Sequence, residues 1–150
     1  YIDDKILKKD IDHPENIGVL IENPNFWKRY TGMETLKLLA DIRKQATEDD
    51  IKNALVRVGL EPSDKRVVRK YSLGMRQKLG IAQAIMEKPD ILLLDEPTNA
   101  LDKKSVEQVR KIIHEEAERG AIVIIASHNP QDIEGCSAIL EMAEGRVCDE

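Results

Sequence analysis

Cysteine, aromatic residues and long apolar runs are all scarce in these 150 residues, and each scarcity closes off a class of protein. Cys136 and Cys148 are the two cysteines, twelve positions apart with no C-x-x-C pattern. They indicate neither a zinc site nor a redox motif, and they read as reduced structural thiols of a cytosolic protein. Eight glycines and six prolines are too few for a linker or a low-complexity segment. Positive charge is not in excess: the formal net charge is −5 and the pI about 5.3, which argues against the basic footprint of direct nucleic-acid binding. No apolar run approaches the roughly 20 residues that cross a bilayer, and the opening YIDDKILKKD has no signal-peptide core. Any membrane role therefore runs through a partner. The first residue is Tyr1 rather than Met, which predicts further sequence upstream.

What is present reads as one domain with two kinds of pattern. Ile17 to Ile21 is a short apolar run ending in the turn formers ENPN, as expected of a buried strand. From about 31 to 88 the pattern is helical. Thr31 and Glu34 have capping-box spacing, ahead of a helix in which Leu36, Leu39, Ala40 and Ile42 can share a face. Thr47 caps a second helix that Gly59 ends, and Ser72 precedes a third, LGMRQKLGIAQAIMEK, closed by Pro89.

From about 89 onward the pattern is strand, helix, strand. ILLLD at 91 to 95 and AIVIIA at 121 to 126 are continuous apolar runs, the signature of parallel strands buried on both faces. Asp102 caps the helix between them, from about 103 to 118, and Gly120 stops it. Ligands of such sheets bind beyond the carboxyl ends of the strands, where Asp95, Glu96 and His128 fall. The terminal AILEMAEGRVCD reads as a hairpin turning at Glu144-Gly145.

An apolar strand that ends in adjacent carboxylates, ILLLDEP, calls for a cationic partner, because a buried unpaired carboxylate is costly. Mg²⁺ is the natural candidate; a solvated turn after a strand is the plainer alternative. A serine hydroxyl and free backbone N–H groups at the start of a helix, Ser72 to Met75, make an anion site, and glycine lets backbone approach closely. Taken alone, Ser72 is simply a helix cap.

Three segments occur in one order: YSLGMRQKLGIAQAI, ILLLDEPTNALD and IIASH. Together they resemble the signature, Walker B, D-loop and H-loop segments of ABC ATPases, and the resemblance runs from about Ile17 to the end. It implies an α/β fold: a P-loop NTPase-like parallel sheet with an inserted helical subdomain, about 31 to 88, and a Walker B to H-loop part, about 89 to 150. It implies ATP and Mg²⁺ as ligands. Asp95 matches the Walker B aspartate that holds Mg²⁺ through its water shell, and Glu96 the carboxylate that positions or deprotonates the attacking water. His128 matches the switch histidine at the γ-phosphate, and Asp102 the D-loop aspartate, although capping explains Asp102 equally well. Ser72, Leu73, Gly74 and Met75 match the signature loop, which in this family contacts ATP held mainly by the opposite subunit. Glu22, in IGVLIENP, occupies the position of the Q-loop glutamine.

The chain departs from the family pattern in places. The usual S-G-G-Q of the signature is S-L-G-M here, which alters the γ-phosphate contacts, and Glu22 puts a carboxylate where a glutamine links Mg²⁺ to the membrane partner. No G-x-x-x-x-G-K-[ST] occurs: no two of the eight glycines are five apart and none precedes lysine. The resemblance therefore implies a P-loop upstream of Tyr1, on a strand expected beside the Walker B strand. Its removal is expected to leave unpaired apolar edges, and with them a marginal, oligomeric or swapped chain without activity of its own.

The implied function is that of the ATP-binding subunit of an exporter, like the small bacterial ATPases for peptides or drugs. Its implied partners are a second nucleotide-binding domain in a homodimer and separate membrane permease subunits, which would place it at the inner face of the cell membrane. Phe26, Trp27 and Tyr30 lie where this family docks its permease, with ordinary loop packing as the alternative. Two rival readings are a non-catalytic module that donates its signature loop in trans, and a soluble ABC ATPase of translation or DNA maintenance.

Overall fold

Three parallel strands carry the fold, in the order β1-β2-β3: β1 is Ile17–Leu20, β2 is Ile91–Asp95 and β3 is Ile122–Ala126. The computed structural model describes residues 16–22, 24–143 and 146–148. Between β1 and β2 come helices α1, Gly32–Arg43, α2, Glu48–Arg57, and α3, Leu73–Ile85, with a short 3₁₀ turn at Val68–Lys70 before α3. Helix α4, Lys103–Glu118, joins β2 to β3. A two-residue hairpin, β4 at Met142–Ala143 and β5 at Arg146–Val147, follows; the expected turn at Glu144-Gly145 lies outside the described residues.

Local sequence explains where the helices begin. Thr31 Oγ1 accepts the Glu34 N–H at 3.2 Å while Glu34 Oε2 accepts the Thr31 N–H at 2.8 Å, a reciprocal box that satisfies two donors at the start of α1. Thr47 and Asp50 repeat the arrangement at α2, at 3.2 and 3.0 Å. Asp102 and Ser72 cap α4 and α3 as single acceptors. Helix α3 ends at Ile85, three residues earlier than the pattern suggested, because Lys88 takes a left-handed φ of 50° and turns the chain into β2.

Alternate strand residues point into one core. Leu20, Leu92 and Leu94 share a buried cluster with Leu79 and Ile81 of α3 and Val109 and Ile112 of α4. Each fully buried leucine contributes about 1.5–3 kcal/mol. Gly18 is the point of closest approach between strand and helix: a Cβ there would lie 2.0 Å from the Ala84 carbonyl oxygen, so any side chain would push β1 and α3 apart.

The structure corrects further expectations. The strands are covered on one face rather than two: on β3, Ile122 and Ile124 are 62% and 55% exposed, because the helices that build the core pack against the opposite face. Ile42 is exposed, not on the buried face of α1; six residues beyond Leu36 it is about two-thirds of a turn away at 3.6 residues per turn. No further strand can sit beside the Walker B segment, since β2 pairs with β1 along one edge and β3 along the other and a strand has only two edges. Cys136 and Cys148 are free thiols at the surface.

One buried carboxylate ties α2 to α4. Glu116, 3% exposed, receives Arg57 at 2.6 Å and Arg119 at 3.0 Å, and Arg119 also donates to the Pro89 carbonyl just before β2. Glu116→Ala would take one carboxylate partner from each of two guanidinium groups; because Arg57 keeps Glu115, Arg119 keeps the Pro89 carbonyl and both can regain some water, we expect a loss of about 2 kcal/mol, below the range for fully buried pairs, measured by urea unfolding.

Asp50 gives a pH-dependent counterpart. The Lys88 ammonium at 2.7 Å, and then the Thr47 hydroxyl and N–H, lower its carboxyl pKa to about 2. The unfolded carboxyl titrates near 4, so the Asp50 contribution is present above about pH 4 and is lost as pH falls toward 2. Asp50→Asn should melt at a lower temperature than wild type at pH 7, by the equivalent of about 1 kcal/mol or less after solvent screening. Thermal melts between pH 7 and 2 should show the gap closing at the acid end.

Candidate functional site

The parallel register of β2 and β3 brings the carboxylates and the histidine together. Asp95, the last residue of β2, pairs with Ala126 of β3, so Glu96 and Ser127-His128 leave the sheet side by side. Glu96 takes a left-handed φ of 46°, a conformation that costs a non-glycine residue about 1–3 kcal/mol and is held only by its surroundings. Here the hold is on both sides of the residue: its N–H donates to the Ala126 carbonyl at 2.9 Å, and its own carbonyl accepts Gln77 Nε2 at 2.9 Å.

That backbone turn aims the Glu96 carboxylate at the loop after β3. Oε1 accepts the His128 N–H at 2.9 Å, and Oε2 lies 3.4 Å from the Ser127 hydroxyl. His128 Nε2 stands 3.9 Å from Oε1, with its ring open to solvent. A carboxylate and an imidazole held this close, one partly shielded and one exposed, can share a proton or flank a polar ligand.

Asp95 meets the third strand end. The Glu22 N–H points to Asp95 Oδ2 at 3.4 Å, which brings the loop after β1 to the same edge of the sheet, while the Glu22 side chain is exposed. Among the described residues no group of three His, Cys, Asp or Glu side chains converges as a metal cage. Mg²⁺ is commonly held by one or two carboxylates together with waters and phosphate oxygens, and the adjacent Asp95 and Glu96 fit that kind of site.

The signature segment joins this cluster from the side. Ser72 Oγ caps α3 by accepting the Met75 N–H at 3.1 Å, leaving Ser72 and Leu73 exposed. Gly74 lies against the D-loop: a Cβ on it would approach the Ala100 carbonyl oxygen to 2.9 Å, and Ala100 itself holds a left-handed φ of 60°. Asp102 caps α4 through the Ser105 N–H at 2.9 Å; that hydrogen bond, followed by one from the Ser105 side chain and the charge of Lys78, lowers its pKa. Thus the loops that carry Glu22, Asp95, Glu96 and His128 leave the same edge of the sheet, Glu22 meeting Asp95 through its backbone N–H and Glu96 meeting His128, whereas Ser72 to Met75 and Asp102 border them through the D-loop.

Two residues at the site carried no signal of their own in the sequence. Gln77, 4% exposed, also lies 3.3 Å from the Pro97 carbonyl and so clasps the turn after Asp95 from α3. Its place in YSLGMRQ, little more than one helical turn after the Ser72 cap, was the available hint. Asp132 is buried beneath the loop, where Thr98, Ser127 and Arg110 all reach its carboxylate. A carboxylate in the turn NPQD gives no sign of that burial.

With this geometry in view, a family model described as ABC transporter matches residues 2–99. The uncharacterized ABC transporter ATP-binding protein YybJ of Bacillus subtilis is 50% identical over 142 residues, which are 94% of this chain and 65% of that protein. The bacitracin transport ATP-binding protein BcrA of Enterococcus faecalis is 38% identical over 136 residues, covering 89% of this chain and 44% of that one. The chain thus spans less than two thirds of the length of these relatives. Among solved structures, the dimeric ATP-binding cassette MJ0796 in a post-hydrolysis state with ADP and Pi matches with a TM-score of 0.71 at 24% identity, over 78% of this chain and 54% of the other, a likeness of fold. The family model matches more than half of the sequence and the sheet and helices share the architecture of a solved cassette: the chain belongs to the ABC transporter family, within its ATP-binding domain.

Proposed function

We propose that this chain is the ATP-hydrolysing part of a transporter ATPase, working as a pair with a second copy and driving export through separate membrane subunits. The observation that carries the reading is the Glu96 carboxylate held 2.9 Å from the His128 N–H at the end of β2. In this reading Glu96 orients the attacking water and takes its proton, and His128 contacts the γ-phosphate. Asp95 would hold Mg²⁺, which when bound neutralises charge on the phosphates. Glu22 stands beside Asp95 as the Q-loop residue, and Asp102 lies in the D-loop between the two copies.

Ser72, Leu73, Gly74 and Met75 offer the backbone N–H groups at the start of α3 to ATP gripped mainly by the second copy. The phosphate-cradling G-x-x-x-x-G-K-[ST] does not occur in these residues. The relatives named for bacitracin transport support export of peptides or drugs as the task. The helical region from about 31 to 88 would carry the signature and the docking face, and the protein would sit at the inner face of the cell membrane through its permease.

A cleft of about 650 Å³ supports the docking part. Glu22, Pro24, Phe26, Trp27, Leu39 and Gln83 are among its lining residues, so it runs from the Asp95 edge to the helical region. Trp27 is 51% exposed and stands edge-on to Tyr30, with ring centroids 6.4 Å apart. An exposed indole beside an apolar cleft suits a protein partner that buries it.

Glu96→Gln, made in the protein as its native gene encodes it, should lower kcat for ATP by roughly 10²–10⁴-fold while ATP binding persists. Unchanged turnover in single-turnover assays would remove Glu96 from the chemistry and the reading with it. Trp27→Ala should leave unfolding free energy within about 0.5 kcal/mol of wild type, as surface substitutions do, yet reduce recovery of the membrane subunit on copurification. Equal recovery would place the permease elsewhere.

A further inference from the structure

Asp132 belongs to none of the motif segments, yet it is the most enclosed carboxylate near the site, with its side chain 1% exposed. Its two oxygens do different things. Oδ1 faces the Arg110 guanidinium of α4, at 3.2 Å from Nε and 2.9 Å from Nη2. Oδ2 accepts two hydroxyls at once, Thr98 Oγ1 at 2.5 Å and Ser127 Oγ at 3.0 Å. Thr98 lies two residues after Glu96, and Ser127 immediately precedes His128. A single oxygen therefore clamps the loop that carries Glu96 to the loop that carries His128.

Burial of this carboxylate is poorly explained by stability, since apolar residues of similar size often serve a core as well or better. Positioning explains it. The Ser127 hydroxyl has one proton and two carboxylates within reach, Asp132 at 3.0 Å and Glu96 Oε2 at 3.4 Å. The closer acceptor takes it, so Glu96 Oε2 is left with an unclaimed lone pair for another donor. Ser127 also accepts the Asn129 N–H at 3.1 Å, which sets the course of the loop past His128.

We propose that Asp132, with Arg110 as its counter-charge, is a positioning residue that sets Glu96 and His128 relative to each other through Thr98 and Ser127. Its effect on turnover rests on the catalytic reading of Glu96 above; the clamp itself does not. The nearest isostere, Asp132→Asn, keeps the volume but replaces one acceptor oxygen with a donor.

In the protein as its native gene encodes it, Asp132→Asn should retain a cooperative melt while kcat for ATP falls roughly 10- to 100-fold at unchanged KM, the size of effect that a small misplacement of reacting groups produces. The backbone amide proton of His128, followed by ¹H–¹⁵N NMR, should move upfield as its hydrogen bond to Glu96 loosens. Asp132→Glu should restore part of both. In a Ser127→Ala background the same substitution should cost less, because the clamp is already cut. A normal kcat together with an unmoved His128 amide overturns the proposal, as does a loss of activity explained wholly by the fraction unfolded. If Asp132→Asn does not fold, Thr98→Val removes one arm of the clamp and is read the same way. If Glu96→Gln leaves hydrolysis intact, the catalytic reading fails, and the His128 amide still decides whether the clamp exists.

Discussion

The parallel pairing of β2 with a neighbour on each edge is the constraint on which the rest depends. Parallel strands end at one edge of the sheet, so the loops after β1, β2 and β3 emerge together, and Glu22, Asp95, Glu96 and His128 become neighbours although more than a hundred residues separate the first from the last. The register sets the fine placement: Asp95 opposite Ala126 leaves Glu96 free to turn under the Ala126 carbonyl. A one-residue slip would exchange the faces of β2 and bury Leu93 in place of Leu92 and Leu94.

The protein treats its carboxylates in two ways. Glu116 and Asp132, both buried, are met by arginines, two for the first and one for the second. Asp95 and Glu96 lie at the mouth of the sheet, and among the described residues no lysine or arginine forms an ion pair with either. Neutralising the buried pair members protects the fold, because an unpaired charge in the core is costly. Asp95 and Glu96, left without a lysine or arginine partner among the described residues, are the carboxylates that the proposed function assigns to Mg²⁺ and to the attacking water.

Backbone strain marks the same region. Glu96 and Ala100 both hold left-handed conformations within five residues, and each is pinned from outside, Glu96 by Gln77 and Ala126 and the D-loop by the close approach of Gly74. Such conformations persist only where neighbouring elements over-determine them. Here α3 and β3 supply the restraint, and the Asp132 clamp adds a third hold at Thr98.

The sequence by itself determined the elements and the chemistry-bearing segments. Thr31 with Glu34, Thr47, Ser72 and Asp102 announce helix starts because a cap acts within three residues of itself, and ILLLD and AIVIIA announce strands because their apolar runs are continuous. The order of those segments sufficed to indicate the family. Only the tertiary structure decided which strand is central, that one face of the sheet stays open at Ile122 and Ile124, and that Ile42 points outward. It also decided that Gln77 reaches the Glu96 carbonyl and that Asp132 lies under the site, 19 and 34 residues from the partners they hold. The physical reason is range: caps and periodicity are set by neighbours along the chain, whereas burial and buried hydrogen bonds depend on which distant surfaces meet.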